Sequence, residues 1–192
     1  MKLTVASSPH IRGNFRTNRI MMDVVLALLP ALAVGIWQFG LRALAVTSVC
    51  IGAAIVTEWL YSVVTKTRNT VVDGSAIVTG LLLAMTLPHT VPYWQAAFGS
   101  VFAIAVVKCL CGGLGQNIFN PALAARAFLL LIWPVGLTRY TGVDGITAAT
   151  PLHHMVMPAL PEESVLDMFL GNCPGSIGEI SALALLAGGA YL

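Results

Sequence analysis

The sequence predicts an all-α integral membrane protein with about five to six transmembrane or half-spanning helices. Three observations predict it. Charged residues are only 9% of the 192-residue chain, against roughly 25% in an ordinary soluble domain. Residues of the apolar class reach 57%, more than a water-soluble globule can cover with its own polar surface. The apolar runs are long and unbroken, whereas a β-barrel shows short alternating strands. A soluble enzyme, a nucleic-acid binder and a disordered chain are excluded on these grounds. The formal charge of +2 is too small to argue for an anionic partner.

A hydrocarbon core about 30 Å thick needs roughly 20 apolar residues in a spanning helix. The first candidate runs from about Ile20 to Leu41, with Asp23 and Gln38 near its ends. The second runs from about Ala43 to Thr65 and carries one charge, Glu58. Its carboxylate falls in the inner third of the helix, within expected reach of interfacial water or Lys66. The third, Ser75 to about Leu87, is short and bounded by Pro88 and Pro92. Such a segment reads as a half-helix or a tilted helix buried in protein.

The fourth segment extends from Trp94 to about Cys111, with Lys108 near its end, and leads into the cluster Gly112-Gly113-Leu114-Gly115. The fifth is Pro121 to about Leu137. A polar stretch follows over 138–174, and a last apolar run starts near Ser176. Glu179 is expected in the first turn of that last helix, where an acid favours the dipole. The run reaches Leu192 with no cap, cation or polar exit, so the chain reads as the N-terminal part of a longer domain.

Orientation follows from the excess of cations on cytoplasmic segments. Residues 1–19 carry Lys2, Arg12, Arg16 and Arg19 and no acid, which predicts a cytoplasmic N-terminus with no cleavable signal. Counting spans then puts the Arg42 turn and the Pro88–Tyr93 turn outside. Lys66, Arg68, Asp73 and the glycine cluster fall inside. The 138–174 stretch lies outside. Trp37, Trp59, Trp94 and Trp133 sit near predicted ends, as an interfacial aromatic belt would.

Cys109-Leu110-Cys111 is too tight for the usual metal spacings, so Cys50, Cys109, Cys111 and Cys173 read as packing residues. Asn120-Pro121 reads as a well-made helix start, with Asn120 at the N-cap and Pro121 at the first position. A helix N-terminus at membrane depth also favours an anion or the polar edge of a cofactor. Arg126, one to two turns in, adds a cation that needs a partner. Asp144-Gly145-Ile146-Thr147-Ala148-Ala149-Thr150 is a small-residue loop with two hydroxyls and one acid. It reads either as an exposed turn or as a place where a threonine hydroxyl carries a phosphoester. His153 and His154 follow it and read as exposed loop histidines.

Several stretches together carry a resemblance. Ser7-Ser8-Pro9-His10, Asp73-Gly74-Ser75-Ala76 and Thr79-Gly80-Leu81-Leu82-Leu83-Ala84 are followed in order by Gly112 to Asn117, Phe119-Asn120-Pro121-Ala122 and Gly175-Ser176-Ile177-Gly178-Glu179. The chain resembles the RnfD/NqrB family from end to end, in its loop form closer to the RnfD branch. The resemblance implies a urea-transporter-like repeat half, a single membrane domain over 1–192 and further helices beyond it. It implies a redox subunit of an Rnf-type complex in the cytoplasmic (inner) membrane, coupling ferredoxin:NAD electron transfer to Na+ or H+ movement. The partners it implies are another covalent flavoprotein and small iron–sulfur membrane subunits.

The resemblance also implies covalent FMN, held as a phosphoester on the last threonine of the motif. The matching positions are Asp144, Thr147, Ala148, Ala149 and Thr150, with Thr150 the acceptor and Ala148 where the family has glycine. Arg126 and Asn120 are carried over as flavin-pocket residues. The chain has few cations to meet an added anionic group, which makes Arg126 and Arg139 its first expected partners. A second, noncovalent flavin is implied without assignable residues. The alternative is a passive urea- or ammonium-like channel without redox chemistry, for which the Asp144–Thr150 stretch has no use.

Overall fold

A computed structural model describes residues 17–66, 70–141, 147–148 and 164–192. Helix α1 (Thr17–Phe39) and helix α2 (Leu41–Thr65) are each long and apolar enough to cross a membrane. Gly40 parts them at φ 69, a positive-φ backbone that costs a glycine little and lets two spans meet in a one-residue turn. Helix α3 is Ser75–Thr86, preceded by a single 3₁₀ turn at Val71–Asp73. Helix α4 begins at Tyr93 and is α-helical to Phe102, then continues as π-helix over Ala103–Cys109.

Helices α5 (Pro121–Ile132) and α6 (Pro134–Thr138) follow, then a hairpin of strands β1 (Tyr140–Thr141) and β2 (Thr147–Ala148). The short helix α7 (Val165–Leu170) and the apolar helix α8 (Ala182–Tyr191) complete the described chain. The all-α membrane architecture holds, with one two-residue hairpin added to it. The multi-pass reading rests on α1 and α2 with the shorter apolar helices α3, α4, α5 and α8.

Helix α2 is central. It packs along α3 and α4, while α1 packs along α8. The core is built from small and branched residues: Ala43, Val46, Cys50, Leu83, Ala96, Ala103, Ala125 and Leu129 are all fully buried. The outer surface is apolar instead of polar. Trp37, Val64 and Leu131 are 90%, 71% and 83% exposed, as expected where lipid or a neighbouring protein, not water, is the surrounding medium. With no hydrophobic drive between helices in lipid, close approach of backbones holds them together. At Gly80 an added Cβ would lie 2.8 Å from the Ile51 Cα, so α3 lies directly on the α2 backbone.

Polar contacts gather at both ends of the bundle. Arg42 donates from Nε to the His89 carbonyl and from Nη2 to the Thr90 carbonyl, each at 3.0 Å, so the start of α2 meets the turn after α3. Gln38 Nε2 donates to the Gly171 carbonyl at 2.6 Å and brings the end of α7 to the same place. Glu58, Thr70, Ser75 and Lys108 meet at the other end.

Three expectations are corrected. The fifth segment does not run to Leu137: α5 stops at Ile132, because Pro134 has no N–H to donate and turns Trp133 out of helical geometry (φ −127, ψ 61). The last helix starts at Ala182, not near Ser176, and Glu179 therefore lies outside it, accepting a bond from Ser176 Oγ at 2.8 Å. The cause is the C-terminus of α3, buried inside the molecule, whose orphan carbonyls need donors. Ile177 N donates to Leu87 O at 3.1 Å and Gly178 N to Met85 O at 2.9 Å, which holds this backbone as a non-helical turn against the helix end. Finally, Glu58 pairs with Lys108 and not with Lys66, and it is buried at 1% exposure instead of lying at the surface.

Candidate functional site

Two constellations of polar side chains stand out within the apolar body. The first centres on Arg126. Asn120 caps α5, its Oδ1 accepting from Ala122 N at 3.0 Å, and Pro121 occupies the first helical position, as the sequence predicts. Arg126 then projects from the middle of α5 to the end of α3, where its Nη1 donates to the Thr86 carbonyl. A cation at a helix C-terminus meets the negative end of the dipole as well as an orphan carbonyl. Its Nη2 donates to Tyr140 Oη at 3.2 Å.

Tyr140 lies on β1, opposite Ala148 in the antiparallel register, with Thr141 opposite Thr147. Arg126 thus ties the hairpin that carries Thr147 and Ala148 to both α3 and α5. Asp144, Ala149 and Thr150, with His153 and His154, lie outside the described residues. Arg139 is exposed immediately before β1.

Asn120 is not part of this junction. It lies six residues before Arg126, about 9 Å away along the helix axis at 1.5 Å per residue. There it lines a cavity of about 370 Å3 together with Ser75, Lys108, Gly115 and Asn117, among apolar residues that include Met21 and Phe119. The glycine cluster reaches this cavity through Leu114 and Gly115 and the second cavity, described below, through Gly112 and Gly113. Gly112, Gly113 and Gly115 have φ of 103, 92 and 85, a backbone path closed to other residues without strain. The Asn117 amide faces the carbonyls of Lys108 and Gly113, and turned with its nitrogen toward them it donates to both, at 3.2 Å and 2.9 Å.

The second constellation is one that reading the sequence misses. Lys108 Nζ lies 2.7 Å from Glu58 Oε1 and 2.7 Å from Ser75 Oγ, with side-chain exposures of 3% for Lys108 and 1% for Glu58. Thr70 Oγ1 also donates to Glu58 Oε1. The other carboxylate oxygen, Oε2, is buried and finds no donor among the described residues. Glu58 also lines a cavity of about 420 Å3 with Tyr61, Ser62, Thr70, Cys109, Gly112 and Gly113. The charge pair therefore stands between two cavities, Lys108 on the wall of one and Glu58 on the wall of the other.

Lys108 is presented by the π-helical stretch Ala103–Cys109. π-turns are rare in helices and concentrate at functional sites. Two apolar-run acids or bases fifty positions apart carry no mutual signal in a sequence, although an intramembrane Glu and Lys each predict a partner.

Among the described residues no cluster of His, Cys, Asp or Glu has the composition of a metal site, and Cys50, Cys109, Cys111 and Cys173 are free thiols. At the end of the bundle with the hairpin, His89 stacks on Phe39 with ring centroids 4.3 Å apart. Burial lowers the His89 pKa below its ordinary value, and the neighbouring Arg42 charge adds to the effect.

Comparison with known proteins agrees with this architecture. The family described as NQR2, RnfD, RnfE matches residues 4–192. The chain is 51% identical to the D subunit of the Na(+)-translocating ferredoxin:NAD(+) oxidoreductase complex of Acetobacterium woodii, over all of this chain and 62% of the relative. It is 44% identical to the D subunit of the proton-translocating ferredoxin:NAD(+) oxidoreductase complex of Clostridium ljungdahlii, over 98% of this chain and 61% of the relative. A third relative, the D subunit of the ion-translocating oxidoreductase complex of Rhodobacter capsulatus, is 35% identical over all of this chain and 63% of its own length. The chain thus spans a little over three fifths of these relatives, and by its match along nearly the whole sequence it belongs to the NQR2, RnfD, RnfE family.

Proposed function

We propose that this chain is the D-type membrane redox subunit of an Rnf-type complex, which couples electron transfer between ferredoxin and NAD to movement of Na+ or H+. The observation that carries the reading is the end-to-end likeness to relatives whose names state that activity, one with Na+ and one with protons. The subunit would lie in the cytoplasmic membrane with its N-terminus inside and the 138–174 stretch outside. Its partners would be the other subunits of the complex, including a second covalent flavoprotein and iron–sulfur membrane subunits.

In this reading Thr150 holds FMN as a phosphoester, with Asp144, Thr147, Ala148 and Ala149 forming the recognition motif. The described residues beside the motif fit such a group in their chemistry. The Arg126 guanidinium, already held against the hairpin by Tyr140, supplies a fixed positive charge next to the strand that leads to Thr150. A flavin there would supply one- and two-electron transfer, while the protein positions it and excludes competing reactions.

The chain's own part is mechanical and electrostatic. Arg126 joins hairpin, α3 and α5 into one unit, so Thr147 and Ala148 sit on a strand tied to rigid elements. A second, noncovalent flavin would find polar groups in the cavity lined by Asn120, Asn117, Ser75 and Lys108, at the positive end of α5.

In-gel fluorescence of the denatured chain tests the assignment. A flavin band expected from the parent should vanish in Thr150→Val and persist in Thr147→Val. A dark parent band from cells that make the flavin transferase would rule out covalent FMN and favour the channel reading.

A further inference from the structure

We propose that Glu58 and Lys108 form a cation-exchange site, in which Lys108 is a tethered stand-in for a mobile monovalent cation. The coupling described below rests on the proposed function. The geometry has three parts. Glu58 is a fully buried carboxylate, with Oε1 bonded to Lys108 and Thr70 and Oε2 left without a donor among the described residues. Oε2 belongs to a residue on the wall of the 420 Å3 cavity, beside the hydroxyl-bearing Ser62, Thr70 and Tyr61. Those are hard oxygen donors of the kind that suit a small monovalent cation or a proton. Lys108 lines the separate 370 Å3 cavity and already holds Ser75 there.

An uncompensated buried carboxylate is strongly disfavoured, so Glu58 needs one positive charge at all times. The Lys108 ammonium supplies it now. A Na+ ion or a proton entering the Glu58 cavity can take over that duty and release Lys108 to the Ser75 side. No covalent bond is made or broken: one cation replaces another beside the carboxylate. The released ammonium then faces the N-terminus of α5, whose positive dipole end opposes it. Negative charge in that cavity removes the opposition. Cation uptake at Glu58 and negative charge at the α5 end therefore favour each other, and the linkage is reciprocal. Under the proposed function, a reduced flavin held in that cavity would supply that charge. The other titratable groups lining the Glu58 cavity are Tyr61 and Cys109, and Lys108 is the one titratable residue among those lining the second.

The test uses the intact complex assembled with the full-length chain, oxidised and then reduced with dithionite. Equilibrium 22Na+ binding and proton uptake by a pH indicator are measured in each state. The parent should gain one Na+, or one proton where no 22Na+ binds, more readily when reduced. Lys108→Gln should bind in both states with affinity raised about 10-fold in the oxidised one, and Glu58→Gln in neither.

Should Lys108→Gln fail to assemble, the parent still decides. Dicyclohexylcarbodiimide should label Glu58 more on reduction and less with Na+ or at higher pH. Binding or labelling that is indifferent to Lys108, to Glu58 and to reduction overturns the proposal. Loss of flavin fluorescence from the parent would instead indict the proposed function, and is read separately on a denaturing gel.

Discussion

Lys108 Nζ and Glu58 Oε1 lie 2.7 Å apart inside an apolar bundle, on helices separated by fifty positions of sequence. A buried pair of this kind stabilises little relative to an apolar replacement, but removing one partner strands a charge. Glu58→Leu should therefore lower stability by about 3–5 kcal/mol, and Lys108→Met likewise. The double variant Glu58→Leu with Lys108→Met should recover most of the loss. Thermal melting of the detergent-purified chain, read as a double-mutant cycle, checks it. Additive losses would mean that the two groups are not coupled.

Arg126 satisfies the end of α3 and holds Tyr140. Arg126→Met should leave the Thr86 carbonyl short of a donor, at a cost of about 1–3 kcal/mol, and loosen the hairpin. Tyr140→Phe should loosen the hairpin alone, with a loss nearer 1 kcal/mol. Limited proteolysis of the 142–163 region resolves the two: both variants should be cut faster than the parent, and only Arg126→Met should melt markedly lower. Equal cutting of all three would show that the tether does not hold the hairpin.

Adjacent glycines in α8 should behave oppositely. A Cβ at Gly188 would lie 2.0 Å from the Ala27 carbonyl oxygen of α1, whereas one at Gly189 meets nothing within 4 Å. Gly188→Ala should cost about 1–3 kcal/mol by forcing the helices apart. Gly189→Ala should be neutral or stabilising by up to about 1 kcal/mol, through helix propensity. Melting temperatures that fall alike in both would refute the α1–α8 packing.

The lowered His89 pKa sets a pH dependence with a definite sign. The unfolded chain takes up its proton at about pH 6.5 and the folded chain only below that. Stability from this group is complete above pH 6.5 and is lost as pH falls through 6.5 toward the folded value. Denaturation midpoints should therefore drop between pH 7 and pH 5 by more in the parent than in His89→Asn. The same slope in both would remove His89 as the cause.

Much of the site was legible only in halves. Asn120-Pro121 could be read as a capped helix start because capping is local: the Asn side chain bonds the backbone two residues on. Arg126 could be read as a cation in need of a partner, but neither Thr86, forty positions away, nor Tyr140 could be identified. Glu58 shows the same limit more sharply. The helix register places it near Lys66 along one chain, while packing of α2 against the π-helical end of α4 supplies Lys108 instead.

What the sequence determined alone was the medium and the elements within it. Low charge and long apolar runs suffice to predict spanning helices, since each satisfies its own backbone and needs no distant partner to do so. Proline and glycine positions then marked most of the breaks. What the tertiary structure decided was where the polar groups left over by those breaks find partners. The buried end of α3 draws Arg126, Ile177 and Gly178 to its carbonyls and delays the start of α8. The buried carboxylate of Glu58 draws Lys108 across the bundle. Both follow from the same physical fact: an apolar interior offers no water, so every stranded charge or carbonyl must be met by a group that only the folded chain brings near.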